Sequence, residues 1–445
     1  MSIGLGEHFT YNKLFRFVLP SVVMMVFTSI YGVVDGLFIS NFVGKIAFAA
    51  VNFILPLTMG VASVGFMLGA GGSALVSKTL GEANHQLANR LFSLLVFFTV
   101  GCGVVLSVIG QFFLEPLAIL MGATDQMLEP ALVYGRILML SVPAFMLQGF
   151  FQTFFVTAEK PKLGLYVIVI AGVTNMVLDA LFVAVFDWGI VGAACATATS
   201  EVVGAVVPLI YFCRKNTSLL KIGKTQWYGK AILKTITNGS SELMTNISMS
   251  VVSILYNAQL LRYIGENGVA AYGAIMYVNF VFVSIFLGYS MGCAPLVGFN
   301  FGAKNHYELK NLLKKSLVVI SATGLCMCGI AFVSAEFISQ IFVGYDAELL
   351  ALTKHAFSIY AFGFLFSGFN IFASAFFTAL NNGLVSAILS FLRMFLFQVV
   401  CVFALPALFG IEGIWYSVVV AELLCLFVSA YFVLKNRKKY GYAQP

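Results

Sequence analysis

Residues 17–40 read FVLPSVVMMVFTSIYGVVDGLFIS, an apolar run in which Asp35 is the one charged residue. A helix needs roughly 20 apolar residues to cross a bilayer, and similar runs recur along the chain. The composition is 60% hydrophobic and 10% charged, whereas a soluble domain is about a quarter charged. Backbone groups in lipid must pair within a helix or a closed barrel, and these runs lack the alternation of barrel strands. The sequence therefore predicts an all-α membrane protein.

Polar breaks divide the chain into twelve predicted helices. They span 14–40, 49–76, 91–113, 131–156, 164–186, 190–212, 235–260, 270–298, 316–341, 351–378, 384–407 and 413–434. Lys and Arg collect in alternate connections, and the opposite connections are mostly acidic. The positive-inside rule then predicts a multi-pass protein of the plasma (inner) membrane with both termini in the cytoplasm. The net charge of +7 is explained by this topology and by anionic lipid, so we expect no nucleic-acid partner.

The second half of the chain repeats the first at a constant offset of 221 residues (306 − 85). The matched pairs include Gly81 with Gly302, Asn84 with Asn305, His85 with His306 and Glu201 with Glu422. Six helices per repeat is an even number, so the two bundles are parallel and related by a pseudo-two-fold axis along the membrane normal. We expect a first bundle over 1–213, a basic cytoplasmic linker over 214–234, a second bundle over 235–434 and a basic cytoplasmic tail over 435–445.

Paired bundles are the architecture of secondary transporters, which handle substrate between the halves and alternate between inward-open and outward-open states. The sequence contains no phosphate-binding loop and no readable catalytic arrangement of Ser, His and Asp or of Cys and His. We therefore expect a transporter, not an enzyme, that uses no cofactor and is driven by an ion gradient.

Four polar residues lie at membrane depth in the first bundle: Asp35, Asn175, Asp179 and Thr197. Ionisable residues in the membrane are costly and therefore mark functional sites unless a structural pairing explains them. Two carboxylates, an amide and a hydroxyl offer oxygen ligands for Na⁺, or a pair of acids that can share and release a proton. At the repeat offset these positions become Tyr256, Leu396, Val400 and Val418, so the second bundle lacks the set. The asymmetry favours a function; the alternative is that Asp35 caps a helix and Asn175 satisfies Asp179.

Other deep polar residues allow more than one interpretation. Glu422 and Arg393 lie at similar depth on neighbouring helices, which predicts a structural ion pair. Glu201 has no evident partner and could extend the cation site or face a central cavity. Glu242 is expected at the start of helix 7, where the helix dipole favours a carboxylate, although a role in attracting cationic substrate stays open.

Two motifs resemble the multidrug and toxic compound extrusion (MATE) family over essentially the whole chain. They are VVDGLFISNFVG (33–44) and NMVLDALFVAVFDWGIVGAACATATSE (175–201), with GEANH (81–85) and GAKNH (302–306) as paired turns. The resemblance implies two bundles around a central cleft and antiport of H⁺ or Na⁺ against cationic, aromatic small molecules. It gives the cation role to Asp35, Asn175, Asp179 and Thr197, and to Pro20 a bend in helix 1 that couples the ion to the cleft.

The second bundle departs from the pattern of some relatives, which carry carboxylates midway along helix 7 and in helix 10. Here those stretches read MTNISMSVVSILYNAQ (244–259) and FGFLFSGFNIFASAFF (362–377), without an acid. We therefore expect ion coupling in the first bundle alone. The alternatives are a flippase for lipid-linked saccharides, which would need a cationic cavity, and a membrane-embedded enzyme or channel. No obligate protein partner is evident beside the small-molecule substrates and the bilayer.

Overall fold

The structure, a computed structural model, describes residues 3–123, 125–344 and 346–442, so the end of the predicted tail, 443–445, lies outside the described residues. Within these ranges the regular structure is entirely helical, which confirms the all-α prediction. Helices 1 to 12 span Tyr11–Val43, Lys45–Gly81, His85–Leu120, Asp125–Thr157, Pro161–Val185, Gly189–Cys213, Gly229–Tyr263, Glu266–Gly302, His306–Val343, Ala347–Ala379, Gly383–Phe409 and Ile411–Tyr440.

Eleven of these twelve helices in the described ranges are long and apolar enough to cross a membrane. The exception is helix 7, because its first half carries the polar stretch TITNGSSELMTN (235–246). This stretch packs against helices 2 and 11. Several polar groups are paired there; Asn238 Nδ2, for example, donates to Asn381 Oδ1 at 2.7 Å. Protein contacts therefore replace the apolar surface that lipid would require.

The helices are longer than the sequence predicted, because polar turns at their ends are capped rather than unwound. The side chains of Asn84 and Asn305, a repeat-matched pair, accept from the backbone N–H three residues on, at 3.1 Å in both cases. This capping accounts for the paired turns at 81–85 and 302–306. Helix 12 likewise continues to Tyr440, into the predicted tail.

Helix 7 begins at Gly229, six residues before the start predicted at 235 (235 − 229). The remaining connection lies along helix 3 and is held by hydrogen bonds. Lys221 N–H donates to Asn89 Oδ1 at 2.6 Å, and Gly223 N–H donates to Ser93 Oγ at 3.0 Å. The basic segment that the sequence predicts to be a linker is therefore attached to the first half by hydrogen bonds.

The two halves meet where helix 2 crosses helices 7 and 8 and where helix 1 packs on helix 8. A Cβ added at Gly81 would overlap the carbonyl oxygen of Phe299, and one added at Gly302 would overlap that of Lys78. Lys78 and Phe299 are themselves one repeat apart (299 − 78 = 221). The contact is therefore reciprocal, as a pseudo-two-fold axis requires. Gly239 faces the carbonyl of Met67 in the same way.

Residues 3–10, which we call the N-terminal strap, lie across both halves at the end of the molecule that also carries Tyr440. Leu5 N–H donates to Glu159 Oε1 of the first half at 2.6 Å. Phe9 N–H donates to Glu308 Oε1 of helix 9 at 2.9 Å, and the Phe9 carbonyl accepts from Asn311 Nδ2 at 3.0 Å. Leu5 and Phe9 are both fully buried. The strap therefore fastens the two halves to each other at this end.

Candidate functional site

Asp35 and Asp179 both lie where an α-helix changes to a π turn. In helix 1 the α-helical part ends at Phe38, and a π turn follows over Ile39–Val43. In helix 5 the α-helical part ends at Asp179 itself, before the π turn Ala180–Val185. Such turns concentrate at functional sites because they shift the hydrogen-bond register and re-aim the neighbouring side chains.

The four first-bundle residues singled out from the sequence come together from helices 1, 5 and 6. Thr197 Oγ1 donates to Asp35 Oδ1 at 3.5 Å, and Asn175 Nδ2 donates to Thr197 Oγ1 at 3.4 Å. Asn175 and Asp179 lie one turn apart on helix 5, and the Asp179 carboxyl lies within hydrogen-bonding range of Asp35. Asn175 is 1% exposed and Asp179 0%.

Three oxygens of this cluster, those of Asp179 and Asn175, lack donors in the described part of the chain. Within the described ranges, neither carboxylate oxygen of Asp179 accepts a hydrogen bond, and Asn175 Oδ1 accepts none either. The ion pairs found in those ranges also leave out Asp35 and Asp179. Two ionised carboxylates are acceptors only, so they can lie this close when a proton or a small cation is shared between them. The arrangement can therefore bind and release one positive charge.

Neutral hydroxyl groups surround the cluster, and sequence reasoning missed them. Tyr134 of helix 4 is 1% exposed and lies near Thr197 and Asp35. Tyr31 lies one turn before Asp35 on helix 1, near Gln148 and Glu201. A single tyrosine in an apolar run has no periodic pattern that distinguishes a functional tyrosine from one that packs in the core. The sequence alone could therefore not identify either residue.

Glu201 has a partner, contrary to the sequence expectation. Ser141 Oγ of helix 4 donates to Glu201 Oε2 at 2.5 Å, and the Glu201 side chain is close enough to Asp35 for their charges to interact. Tyr31 lies near both Glu201 and Asp35, so the two acids belong to one polar region. Glu201 therefore lies beside the cation cluster rather than apart from it.

The corresponding place in the second bundle is filled by neutral groups. Tyr256, the repeat equivalent of Asp35, is 1% exposed, and its hydroxyl donates to Gln398 Oε1 at 2.9 Å. Its ring stacks on Tyr272 with centroids 5.3 Å apart and planes inclined by 2°. A phenol bonded to an amide has no charge to exchange, so this bundle holds a closed hydrogen bond where the first holds two acids.

Arg393 and Glu422 form a buried ion pair in the second bundle. Arg393 Nε lies 2.9 Å from Glu422 Oε1 and 3.1 Å from Oε2, and Asn370 Nδ2 donates to Oε2 at 2.8 Å. Ser429 Oγ donates to Asn370 Oδ1 at 2.9 Å. Arg393 also lies in a π turn, Leu392–Leu396. Its charge is neutralised within the bundle.

The interpretation of Glu242 as a helix-start carboxylate was wrong. Helix 7 begins at Gly229, so Glu242 lies thirteen residues inside it (242 − 229), beyond the reach of the first-turn dipole. Its side chain is partly buried and takes part in none of the ion pairs found in the described ranges. Pro20 is buried inside helix 1, just before the stretch at Ser21 and Val22 that contacts Gly288 of helix 8.

Long apolar helices in two repeated halves, with the close acid pair Asp35 and Asp179 in the first, define a multi-pass membrane transporter. The model of the MatE family matches residues 20–181 and 243–403, one block in each half, and the chain belongs to this family. The resemblance noted from the sequence motifs is thereby confirmed.

Relatives and solved structures agree with this assignment. A multidrug export protein, MepA, of Staphylococcus haemolyticus is 25% identical over 435 residues, covering 97% of this chain and 95% of that protein. A MATE protein crystallised in complex with MaL6 is 20% identical, with a TM-score of 0.93 and 98% of both chains covered. An outward-facing multidrug resistance MATE transporter is 21% identical, with a TM-score of 0.92, over 98% of this chain and 97% of that one. At these identities the two structures establish the fold.

Proposed function

We propose that this protein is a secondary active multidrug exporter that antiports cationic or amphipathic small molecules against H⁺ or Na⁺ by alternating access. The multidrug export protein that resembles it over nearly its whole length supports the substrate class. The proposed topology is that of a plasma-membrane protein with cytoplasmic termini. Bundles 1–213 and 235–434 act as the two moving units, joined by the linker at 214–234 and followed by the cytoplasmic tail at 435–445.

One observation carries the ion-coupling proposal: among the described residues, Asp35 and Asp179 lie close together without a countercharge, and Asp179 also lacks a donor. The repeat-equivalent place holds the neutral pair Tyr256 and Gln398. Asn175 and Thr197 complete the oxygen set. A bound proton or Na⁺ relieves the repulsion between the two acids, and release of the ion restores this repulsion. The site therefore exists in two states of different energy, as coupling to a gradient requires.

Helix 1 is the proposed connection between ion and substrate. It carries Asp35 on one side and packs against helix 8 of the other half through the stretch after Pro20. Proline removes one backbone hydrogen bond and so permits a bend at this place. Loading or unloading of the ion then changes the angle at which helix 1 meets the second half.

The substrate is proposed to bind between the halves, where uncompensated acids attract a cation. Glu201 is adjacent to the ion cluster, and Glu242 is a partly buried acid on helix 7. We assign to both a cavity or coupling role. The flippase alternative needs free cations deep in the membrane for phosphate groups, and the deep cation Arg393 is engaged by Glu422. Ion coupling is therefore favoured over lipid-linked saccharide transport.

The first test is Asp179→Asn, which preserves the shape and removes the charge. In cells that lack other exporters, ethidium efflux should fall to the level of cells without the protein. Glu115→Gln, which neutralises an exposed acid paired with Arg136, is the matched control and should export normally. Unimpaired export by Asp179→Asn at equal expression would refute the role.

A second measurement identifies the ion and excludes other classes of protein. Purified protein in vesicles is given a Na⁺ gradient and a pH gradient separately, and dye movement is followed. An antiporter moves dye against its concentration in response to one of them. Dye movement that follows only its own gradient would indicate a channel, and chemical change of the dye an enzyme.

A further inference from the structure

A cavity of about 490 Å³ lies where the two halves meet, close to the strap end of the molecule. Its walls come from the end of helix 2, the start of helix 3 and the first residues of helix 7. The lining includes Leu75, Lys78, Glu82, Leu87, Leu91 and Lys230. This cavity is separate from the acid cluster and is not used by the proposed transport step.

Positive charge accumulates around the cavity. Lys78 and Lys230 line it, and Lys234 lies close enough to Lys78 and to Lys439 for its charge to be repelled by both. In the described ranges, the ion pair found for these four lysines is the one between Lys78 and Glu82, at 3.4 Å. Like charges held together with one acid among them are stabilised by binding an anion.

Part of the cavity lining is apolar. Leu75, Leu87 and Leu91 line the same space as Lys78 and Lys230. A free phosphate ion would gain nothing from three leucines, whereas a molecule that joins a phosphate to a hydrocarbon chain would use both the charged and the apolar lining. The proposed topology puts this end of the helices at the headgroup level of the inner leaflet, where such molecules are present.

We propose that the cavity binds an anionic phospholipid, with its phosphate at Lys78 and Lys230 and one acyl chain along Leu75, Leu87 and Leu91. This assignment rests on the proposed topology and not on the ion-coupling mechanism. Helices 2 and 3 belong to the first half and helix 7 to the second, so the bound lipid touches both. Occupancy by the lipid therefore depends on the relative position of the halves.

Native mass spectrometry of the purified full chain tests the proposal through retained lipid, a readout independent of transport. The probes are phosphatidylglycerol and neutral phosphatidylcholine. Each ammonium near a membrane surface contributes roughly fivefold to affinity for anionic lipid, so Lys78→Gln with Lys230→Gln should weaken phosphatidylglycerol binding by about 25-fold. Lys230→Gln alone, at an exposed side chain that leaves packing intact, should weaken it about fivefold.

Two controls separate this site from general surface attraction. Lys215→Gln with Lys224→Gln removes the same charge from exposed linker residues outside the cavity and should leave binding unchanged. Leu87→Trp fills the cavity while preserving every charge and should abolish retention. Retention by the lysine variants equal to that of the unmodified protein, equal retention of phosphatidylcholine, or displacement by tens of millimolar inorganic phosphate would each overturn the proposal.

Discussion

The buried pair Arg393–Glu422 allows a direct measurement of how burial changes the contribution of an ion pair to the stability of this fold. The side chains are 12% and 5% exposed, with Nε 2.9 Å from the carboxylate. Arg136 and Glu115 form the same kind of pair, also at 2.9 Å, with side chains 50% and 48% exposed. Residue types and distance are thus matched, and exposure differs.

Glu422→Gln should cost about 3 kcal/mol or more, because the guanidinium is left buried without a countercharge and the new amide N–H₂ opposes the donors on Arg393 and Asn370. Glu115→Gln should cost no more than about 1 kcal/mol, because water screens the exposed pair. The measurement is the unfolding temperature of each purified variant in the same detergent.

Replacing both partners sharpens the test. Arg393→Met with Glu422→Leu removes both charges and preserves much of the volume, so it should recover most of the stability that Glu422→Gln loses. Two results would refute the reasoning: equal unfolding temperatures for Glu422→Gln and Glu115→Gln, or no recovery in the double variant.

Three further predictions concern the contacts between the halves. Burial raises the pKa of the Glu159 carboxyl in the folded protein. As pH rises from the pKa of Glu159 in the unfolded chain toward its raised pKa in the folded protein, the folded protein therefore loses stability. The difference in unfolding temperature in favour of Glu159→Gln should grow over that pH interval, and a constant difference would contradict the assignment. Phe9→Ala empties a fully buried site in the strap and should cost about 3–5 kcal/mol in the same assay, whereas Tyr11→Ala, at an exposed ring, should cost far less. Gly239→Ala should lower the unfolding temperature because its Cβ meets the carbonyl of Met67, while Gly273→Ala, which has open space around it, should not; equal effects would show that the close contact is unimportant.

The fold could be predicted because its determinants are repeated many times. Twelve apolar runs and the constant offset that pairs Gly81 with Gly302 leave few alternatives to two parallel bundles. Helix ends were less accessible, because hydropathy does not register a cap such as Asn84. The start of helix 7 at Gly229 was missed because the residues that follow it are polar, and protein neighbours rather than lipid surround them.

The candidate site could be predicted in part because acids in apolar runs are rare. Asp35, Asn175, Asp179 and Thr197 stood out for this reason, and the structure brings their side chains together. Tyr134 and the serine partner of Glu201, Ser141, did not stand out, since hydroxyl residues are common in membrane helices. The π turns were also unpredictable, because they follow from tertiary packing and have no composition of their own.

Helix 2 approaches helices 7 and 8 through glycine against carbonyl oxygen rather than through interlocking side chains. Parting such surfaces exposes little hydrocarbon and requires no rotamer to change, so the work of separation is small compared with that of pulling apart a leucine-packed interface. Such a contact holds the two helices close together, and separating them costs little free energy. In the proposed alternating-access cycle, bare backbone at this contact would let the two halves separate at this end with little loss of side-chain packing.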